Sequence, residues 1–327
     1  MNRTALVVLA VLMVAIAGVY AIFVRALTRA RARLVGRSKT VELLSGRVEY
    51  AVMGKGAPLL SVHGAGGGFD QAVHMTGALI GRGYQIIAPS RFGYLRSSSP
   101  GNLTTAIQAD AYAQLLDRLG IERVVVLGIS AGAWSSMQFA IRHPERCRAL
   151  VLLVPADYLP EGTSIHGGAV VRAIVHSDFV AWVALKLTPI MPGGMTRMIL
   201  GTDAAVVRTA EPSEKARVQQ VLEHLLPVGS RFEGMQFDIK TAATHEPYTI
   251  EKITCPVLTI SAQDDRFGTA SRAKYIAASV PDGRTIVFQT GGHALVGHSA
   301  DVLREITVFL DMHPDVLVPS KNGCQEQ

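Results

Sequence analysis

The chain has 327 residues, of which 49% are hydrophobic and 18% are charged, and this composition excludes a disordered or low-complexity protein. Its net charge is +6, but seven of the 32 basic residues precede the first acid, Glu42, and the other 25 are balanced by 26 acids. The positive charge therefore belongs to one N-terminal segment and does not indicate nucleic-acid binding. Three cysteines without zinc-type spacing exclude a disulfide scaffold or zinc module, and the sequence predicts no metal or cofactor.

The N-terminus has the pattern of a transmembrane anchor. Residues 5–24 are twenty uncharged and almost wholly apolar residues, which suffice for a helix to cross ~30 Å of hydrocarbon. Six basic residues in the linker 25–39 follow this run and one precedes it. The positive-inside rule then predicts a single-pass protein with a cytoplasmic globular part and a basic collar on anionic headgroups. Two alternatives are an exported protein whose signal peptide is cleaved at Ala15–Ala17, and a buried helix of a soluble protein.

From residue 40 onwards, short apolar runs alternate with longer amphipathic stretches. This alternation predicts an α/β protein with a mostly parallel eight-stranded sheet and helices on both faces. The predicted strands are Thr40–Leu44, Val48–Met53, Leu59–Val62, Gln85–Ala88, Val124–Leu127, Leu150–Val154, Val257–Ser261 and Thr285–Gln289. Helices are predicted after Phe69, after Thr104 as an N-cap, and after Ser130, Ala270 and His298.

About a hundred residues interrupt this rhythm. Residues 155–254 have helical periodicity, two Pro/Gly breaks and no clear strand, which predicts a helical insertion into the sheet. The sequence therefore divides into a core of residues 40–154 and 255–313, an inserted cap of residues 155–254 and a flexible tail of residues 314–327.

The first segment with chemical content is a Gly-x-Ser-x-Gly motif, in which Gly128 and Gly132 flank Ser130. It follows a buried strand and precedes a helix, so the serine occupies a tight strand-to-helix turn with its hydroxyl exposed. This context favours a nucleophile over an ordinary glycine-rich turn. The backbone N–H of Ala131, the next residue, is a natural donor to an oxyanion.

The second segment is a His-Gly pair followed by the glycine-rich loop 64–68, again after a strand. Such a loop can supply the second oxyanion donor, from Ala65 or else from Gly66. A phosphate-binding loop is the alternative, but the Gly-Lys-Ser/Thr sequence is missing and no acid follows a further strand at the required distance. His63 precedes the loop and is predicted to be a structural residue of the turn.

The third segment is a pair of strand ends near the C-terminus. Asp264 and Asp265 follow one strand, and His293 lies in a glycine-rich turn after the next. The chain order Ser, Asp, His is that of an α/β-hydrolase triad, and the glycines before His293 allow it to reach a serine. His298 is the weaker candidate base, because it is predicted to begin the following helix.

With these motifs the chain resembles the α/β-hydrolase superfamily over about residues 40–312. Alignment on the Gly-x-x-Asp pattern of the superfamily places Ala262 on the glycine and Asp265 on the catalytic acid. Asp264 is the second choice for the acid. Asp157 is the third, because it follows the preceding strand, where some members carry their acid. The run Asp-Asp-Arg-Phe resembles the carbon–carbon bond hydrolase branch. Two positions depart from it: Ser90 stands where relatives usually have Asp, and Ala294 follows the histidine where that branch usually has Trp.

The resemblance implies a serine hydrolase with Ser130, His293 and Asp265 as triad and the N–H groups of Ala65 and Ala131 as oxyanion hole. Next to a membrane anchor, an apolar cap favours a carboxylic ester hydrolase acting on a hydrophobic small-molecule or lipid ester. The candidates for an apolar lining are Ala169–Ala173, Phe179–Leu187 with Trp182, Met191, Met195 and Met198. The alternative for most of these residues is that they only pack the cap onto the core. Carbon–carbon bond hydrolase, amidase, peptidase and perhydrolase activities share this triad, and a ligand-binding protein on the same fold is the non-enzymatic alternative.

Overall fold

The computed structural model describes residues 2–156, 169–188, 196–197, 200–244 and 249–313, without the side chains of residues 169–172. Its centre is an eight-stranded sheet with the order β1-β2-β4-β3-β5-β6-β7-β8. The strands are β1 Lys39–Leu43, β2 Gly46–Met53, β3 Ala57–Val62, β4 Tyr84–Pro89, β5 Val124–Ile129, β6 Cys147–Leu153, β7 Val257–Ala262 and β8 Gly283–Phe288. The pairs β1–β2 and β2–β4 are antiparallel and all other pairs are parallel, which confirms the predicted sheet.

The sheet lies between two layers of helices. Every residue of β3, β5, β6 and β7 is buried, because a parallel strand covered on both faces needs an uninterrupted apolar run. Along β5, Val124 and Val126 face one hydrophobic core while Val125 and Leu127 face the other. The flanking helices are α2 Phe69–Thr76, α3 Thr105–Arg118, α4 Gly132–Arg142, α10 Thr269–Ser279 and α11 Ser299–Asp311.

All five of these helices begin within two residues of the predicted starts. Thr104 is the N-cap of α3, since its Oγ1 accepts a 3.1 Å hydrogen bond from the N–H of Ile107. Helix α4 begins directly after the Gly-x-Ser-x-Gly turn, with Ala131 at its N-cap. The end of β5 and the start of α4 thus fix the position of Ser130.

The segment between β6 and β7 (residues 155–254, here called the cap) is helical. Its described helices are α5 Ala169–His176, α6 Asp178–Leu187, α7 Ala204–Thr209, α8 Pro212–Glu223 and α9 Phe232–Thr244. No strand occurs among the residues of the cap that the structure describes. Asp157, Met191, Met195, Met198 and the tail from residue 314 lie outside the described residues.

The N-terminal helix α1 spans Arg3–Ala32 and is long and apolar enough to cross a membrane. Its final part does not stand free of the globular body. Phe23 and Ala30 are buried against the cap, and the Phe23 ring lies 5.2 Å from that of Phe179 and 5.7 Å from that of Trp182. Helix α1 is therefore packed onto the cap by its C-terminal third.

Candidate active site

The turn that carries Ser130 is strained. Ser130 has φ = +50°, in the left-handed region that residues with a side chain rarely adopt. Its backbone is fixed by a 2.9 Å bond from its N–H to the Leu153 carbonyl of β6 and by a 3.1 Å bond from the Ala156 N–H to its own carbonyl. A Cβ atom at Gly132 would lie 2.6 Å from the carbonyl oxygens of Val62 and His63. Only glycine therefore allows the start of α4 to pack this closely against the end of β3.

Three side chains predicted from separate strand ends form a continuous hydrogen-bonded row. Ser130 Oγ lies 2.9 Å from Nε2 of His293, and Nδ1 of His293 lies 2.8 Å from Oδ2 of Asp265. The three follow β5, β8 and β7, whose carboxyl ends meet at one edge of the parallel sheet. Phe267 packs its ring edge-on at 4.8 Å from the His293 ring and limits its rotation.

Asp265 is held in a site that favours its charged form. It is 7% exposed, and Oδ1 accepts a 2.9 Å bond from the Phe267 N–H while Oδ2 also accepts a bond from the Thr269 hydroxyl. Burial alone raises the pKa of Asp265. This effect is outweighed by the hydrogen bond and charge of His293 and by the hydrogen bonds from Thr269 and Phe267, so the pKa of Asp265 is lowered below the usual carboxyl value. An ionised Asp265 can orient His293 and stabilise its imidazolium.

Asp264 has a different set of partners. Its carboxylate accepts bonds from the N–H groups of Gly292 at 2.8 Å and Gly291 at 3.3 Å. It therefore holds the turn that carries His293 but makes no hydrogen bond to the imidazole ring. His298 lies at the N-cap of α11, stacked on Phe288 at 4.0 Å, and does not join the row.

The two predicted oxyanion donors belong to the residue after Ser130 and to the glycine-rich loop. Neither the N–H of Ala65 nor that of Ala131 donates to any acceptor among the described residues, whereas the N–H of Gly66 donates to the Tyr94 hydroxyl at 3.3 Å. The glycine-rich loop lies directly against the nucleophile, since a Cβ at Gly64 would be 3.1 Å from that of Ser130. Ala65 and Ala131 thus have the free donors that an oxyanion requires.

His63 is a buried structural residue of this loop. Its Nδ1 donates to the Gly64 carbonyl at 2.7 Å and its Nε2 accepts from the N–H of Arg91 at 2.9 Å. Both ring nitrogens are occupied by backbone groups, as a neutral imidazole with the proton on Nδ1 requires. Burial, and next the charge of Arg91, lowers the pKa of His63 well below its usual value.

A cavity of about 320 Å³ opens beside Ser130 and His293. Its lining is mainly apolar and comes from both core and cap, with Met75, Ile129, Leu153, Val154, Leu200, Val221, Leu225, Phe267, Leu295 and Val302 as its larger apolar side chains. Trp182 and the rest of α6 do not line it; they pack against α1 instead. Among the described residues of the cap, the apolar lining comes from Val221 of α8, from Leu225 after it and from Leu200 before α7.

Sequence reasoning missed the polar side chains by which the cap holds this site. Arg217 of α8 donates to the Ala294 carbonyl at 2.8 Å and pairs with Glu214, and Glu214 accepts from the Gly297 N–H at 3.0 Å. Arg231, which is 0% exposed, donates to the Gly67 carbonyl and pairs with Asp70 at 2.9 Å. The cap thus contacts both the histidine turn and the glycine-rich loop.

A third missed feature is the pairing of Ser90, which stands where relatives usually have Asp, with Glu49. Ser90 Oγ accepts the Phe69 N–H at 3.0 Å and donates to the carboxylate of Glu49, a buried residue of β2, at 3.1 Å. The pair Ser90–Glu49 thereby places a carboxylate behind the first N–H of α2. Among the described residues, no group of three or more His, Cys, Asp or Glu side chains is arranged to hold a metal ion.

Comparison with known proteins gives consistent matches. The model of a family described as alpha/beta hydrolase fold matches residues 57–297. The uncharacterized hydrolase YcgS of Bacillus subtilis is 29% identical over 79% of this chain and 92% of that protein. A 2-hydroxy-6-oxo-6-phenylhexa-2,4-dienoate hydrolase of Burkholderia cepacia is 22% identical over 80% of this chain and 90% of that protein. An alpha/beta hydrolase fold protein from Nakamurella multipartita superimposes with a TM-score of 0.67, at 25% identity over 84% of this chain and 98% of that structure.

Proposed function

The chain belongs to the α/β-hydrolase family, and on that basis we propose that it is a serine hydrolase that cleaves hydrophobic carboxylic esters through an acyl-enzyme. The observation that carries the proposal is the row Ser130–His293–Asp265, with distances of 2.9 and 2.8 Å, at the edge of a mainly apolar cavity. A nucleophilic serine with an adjacent base and an orienting acid is the arrangement of acyl-transfer enzymes.

In this mechanism His293 Nε2 accepts the proton of Ser130 as its oxygen attacks the ester carbonyl. Asp265 keeps the Nδ1 proton in place and stabilises the imidazolium. The carbonyl oxygen becomes an oxyanion, which accepts hydrogen bonds from the N–H groups of Ala65 and Ala131. When the intermediate collapses, the alcohol leaves with the proton from His293, and water then repeats the sequence on the acyl-enzyme.

The test is hydrolysis of p-nitrophenyl esters from acetate to palmitate by the wild type and Ser130→Ala. We expect serine-dependent turnover with an optimum at a chain length that fits the cavity of about 320 Å³. Full activity in Ser130→Ala would rule out the proposed triad. Labelling by a fluorophosphonate separates an enzyme from a ligand-binding protein on this fold, because only an activated serine reacts quickly.

The second candidate is carbon–carbon bond hydrolysis. It is favoured by the Asp-Asp-Arg-Phe run at Asp264 and by the dienoate hydrolase among the relatives. Such a substrate carries a carboxylate, and Arg217 is the guanidinium in the cavity lining, but Glu214 at 2.8 Å already neutralises it. We therefore expect ester cleavage to exceed cleavage of 2-hydroxy-6-oxo-6-phenylhexa-2,4-dienoate; faster, Ser130-dependent dienoate cleavage would reverse the assignment.

We further propose that α1 is a single-pass anchor over residues 5–24, that residues 25–39 form its basic linker, and that the core and cap (residues 40–313) face the cytoplasm. One basic residue precedes the apolar run and six follow it. Protease added to intact spheroplasts should leave the globular part uncut, and lysis should expose it. Digestion of the globular part from outside would contradict this orientation.

A further inference from the structure

A second cavity, of about 150 Å³, lies where α1 meets the cap helices α6 and α8, away from the active site. We call it the juxtamembrane crevice. It is lined by apolar side chains, by three cations and by one acid: Ala26, Ala30, Trp182, Leu185, Leu226, Arg29, Arg33, Lys186 and Glu223, together with Gln219. An apolar wall with an excess of positive charge matches a ligand that is both anionic and apolar.

The cations of the crevice have unused hydrogen-bonding capacity. Arg29 and Lys186 are exposed, and neither forms an ion pair with a residue in the described part of the chain. Arg33 is half-buried; its Nη2 donates to the carbonyls of Glu223 at 2.6 Å and Leu226 at 3.4 Å. Its Nε is buried with no hydrogen-bond partner among the described residues. Buried donors of this kind are normally satisfied, so each one needs an acceptor.

Trp182 supplies a further unsatisfied donor. It lines the crevice and is 7% exposed, yet its indole N–H has no hydrogen-bond partner within the described ranges. The indole N–H can only donate. Arg33 and Trp182, which both line the crevice, thus each have a donor that no acceptor among the described residues satisfies.

The position of the crevice along α1 corresponds to the headgroup layer of a bilayer. Arg29 lies five residues beyond Val24, the end of the apolar run, which is about 8 Å along a helix. The headgroup region extends roughly 5–8 Å beyond the hydrocarbon on each side. Phe23, Phe179 and Trp182 form an aromatic cluster at that boundary, where such residues are enriched.

We propose that the juxtamembrane crevice binds the phosphate headgroup of an anionic phospholipid. The phosphate oxygens accept from Arg29, Arg33 and Lys186, and the start of the acyl chains lies along α1 and the half-exposed ring of Phe179. A free inorganic anion would use the cations but not the apolar wall. Because α1, α6 and α8 all line the crevice, the bound lipid also joins the anchor to the cap.

The test uses the full-length protein in phosphatidylcholine vesicles and the fluorescence of its two tryptophans. Ether-linked phosphatidylglycerol with brominated chains is the quencher, compared with brominated ether phosphatidylcholine at the same mole fraction, so hydrolysis cannot alter either probe. Trp182 is the reporter, because Trp134 is 3% exposed inside the core. We expect stronger quenching by phosphatidylglycerol, and Trp182→Phe to abolish that difference.

The decisive comparison is between two double variants that remove the same charge. Arg29→Gln/Lys186→Gln should lower the preference for phosphatidylglycerol at least about fivefold, since each substitution removes a direct charge-assisted hydrogen bond to the phosphate. Arg25→Gln/Arg31→Gln, whose residues do not line the crevice, should retain most of it. Labelling by a fluorophosphonate checks that each variant is folded.

Three outcomes would overturn the proposal. Equal losses in the two double variants would mean that the basic collar attracts lipid diffusely, without a site. Absence of any preference in the wild type would mean that no anionic lipid is bound beside Trp182. Loss of the preference when inorganic phosphate replaces chloride at constant ionic strength would identify free phosphate, and not a lipid, as the ligand.

Discussion

At the scale of single residues, two neighbouring carboxylates have separate tasks. Asp265 contacts the imidazole of His293, whereas Asp264 contacts the backbone of the turn that carries it. A substitution to asparagine keeps an acceptor oxygen at either position but removes the negative charge. The charge matters for an imidazolium that forms during the reaction and much less for two neutral N–H groups, so the two positions should respond differently.

We therefore expect Asp265→Asn to lower kcat by about 10⁴-fold, the effect of removing the charged member of a triad. Asp264→Asn, the matched control, should lower it by less than about 10-fold, because its carbonyl can still accept from Gly292. Steady-state ester hydrolysis measures both. A larger loss in Asp264→Asn than in Asp265→Asn would reverse the assignment of the acid.

His63 gives a prediction about pH and stability. Its pKa is lowered in the folded state, so the unfolded chain binds more protons below about pH 6.5, and stability must fall as the pH falls through that value. A protonated ring would direct an N–H at the N–H of Arg91. The thermal midpoint of the wild type should drop between pH 7 and pH 5. In His63→Asn, which is less stable at pH 7, this drop should be smaller; an equal drop would assign the effect to other groups.

At the scale of elements, two buried ion pairs attach the cap to the core. Arg91, in the loop after β4, pairs with Asp238 of α9 at 2.6 Å, and both side chains are at most 5% exposed. Arg231 pairs with Asp70 of α2. The Tyr94 hydroxyl donates to Asp238 and accepts from the Gly66 N–H. The same network of hydrogen bonds therefore holds both the cap and the glycine-rich loop in position.

Replacing one partner of such a pair should lower the free energy of unfolding more than replacing both partners. Asp238→Leu leaves the Arg91 guanidinium buried without its partner, and we expect the free energy of unfolding to fall by about 3–5 kcal/mol. Arg91→Met/Asp238→Leu removes both charges and should regain most of that loss. Chemical denaturation of the full chain in detergent measures both. A double variant that is no more stable than Asp238→Leu would show that the pair is not energetically coupled.

The order and location of these elements were predictable from local patterns, but the ion pairs were not. All eight predicted strands are present, with ends within three residues of those predicted, because apolar runs, glycines and caps act over short stretches of chain. The residues of the proposed triad could also be identified, since each follows a strand. Arg231 and Asp70 are 161 residues apart in the chain, and no local pattern links them. The acceptor of Ser90, Glu49, was missed for the same reason.

At the scale of the whole molecule, helix α1, the proposed anchor, contributes residues to the hydrophobic core of the cap. Phe23 and Ala30 of α1 pack with Trp182 and Leu185 of α6 and with Leu222 of α8. The sequence predicted the apolar run and its length. The contact between α1 and the cap was not predicted, because the sequence of each helix shows only that it is apolar or amphipathic and does not show which helix it packs against. We therefore predict that insertion of the proposed anchor in the membrane and packing of the cap are coupled.

This coupling can be measured with one buried and one exposed residue of α1. Phe23 is 8% exposed against the cap and Ile22 is 55% exposed. Phe23→Ala removes apolar contact worth about 1.5–3 kcal/mol, so local opening of α6 should become roughly 10- to 100-fold more frequent. Hydrogen exchange of the α6 amides in the full-length protein should accelerate by that factor. Ile22→Ala should leave it unchanged, and equal acceleration in the two variants would mean that α1 acts on the cap only by keeping the chain at the membrane.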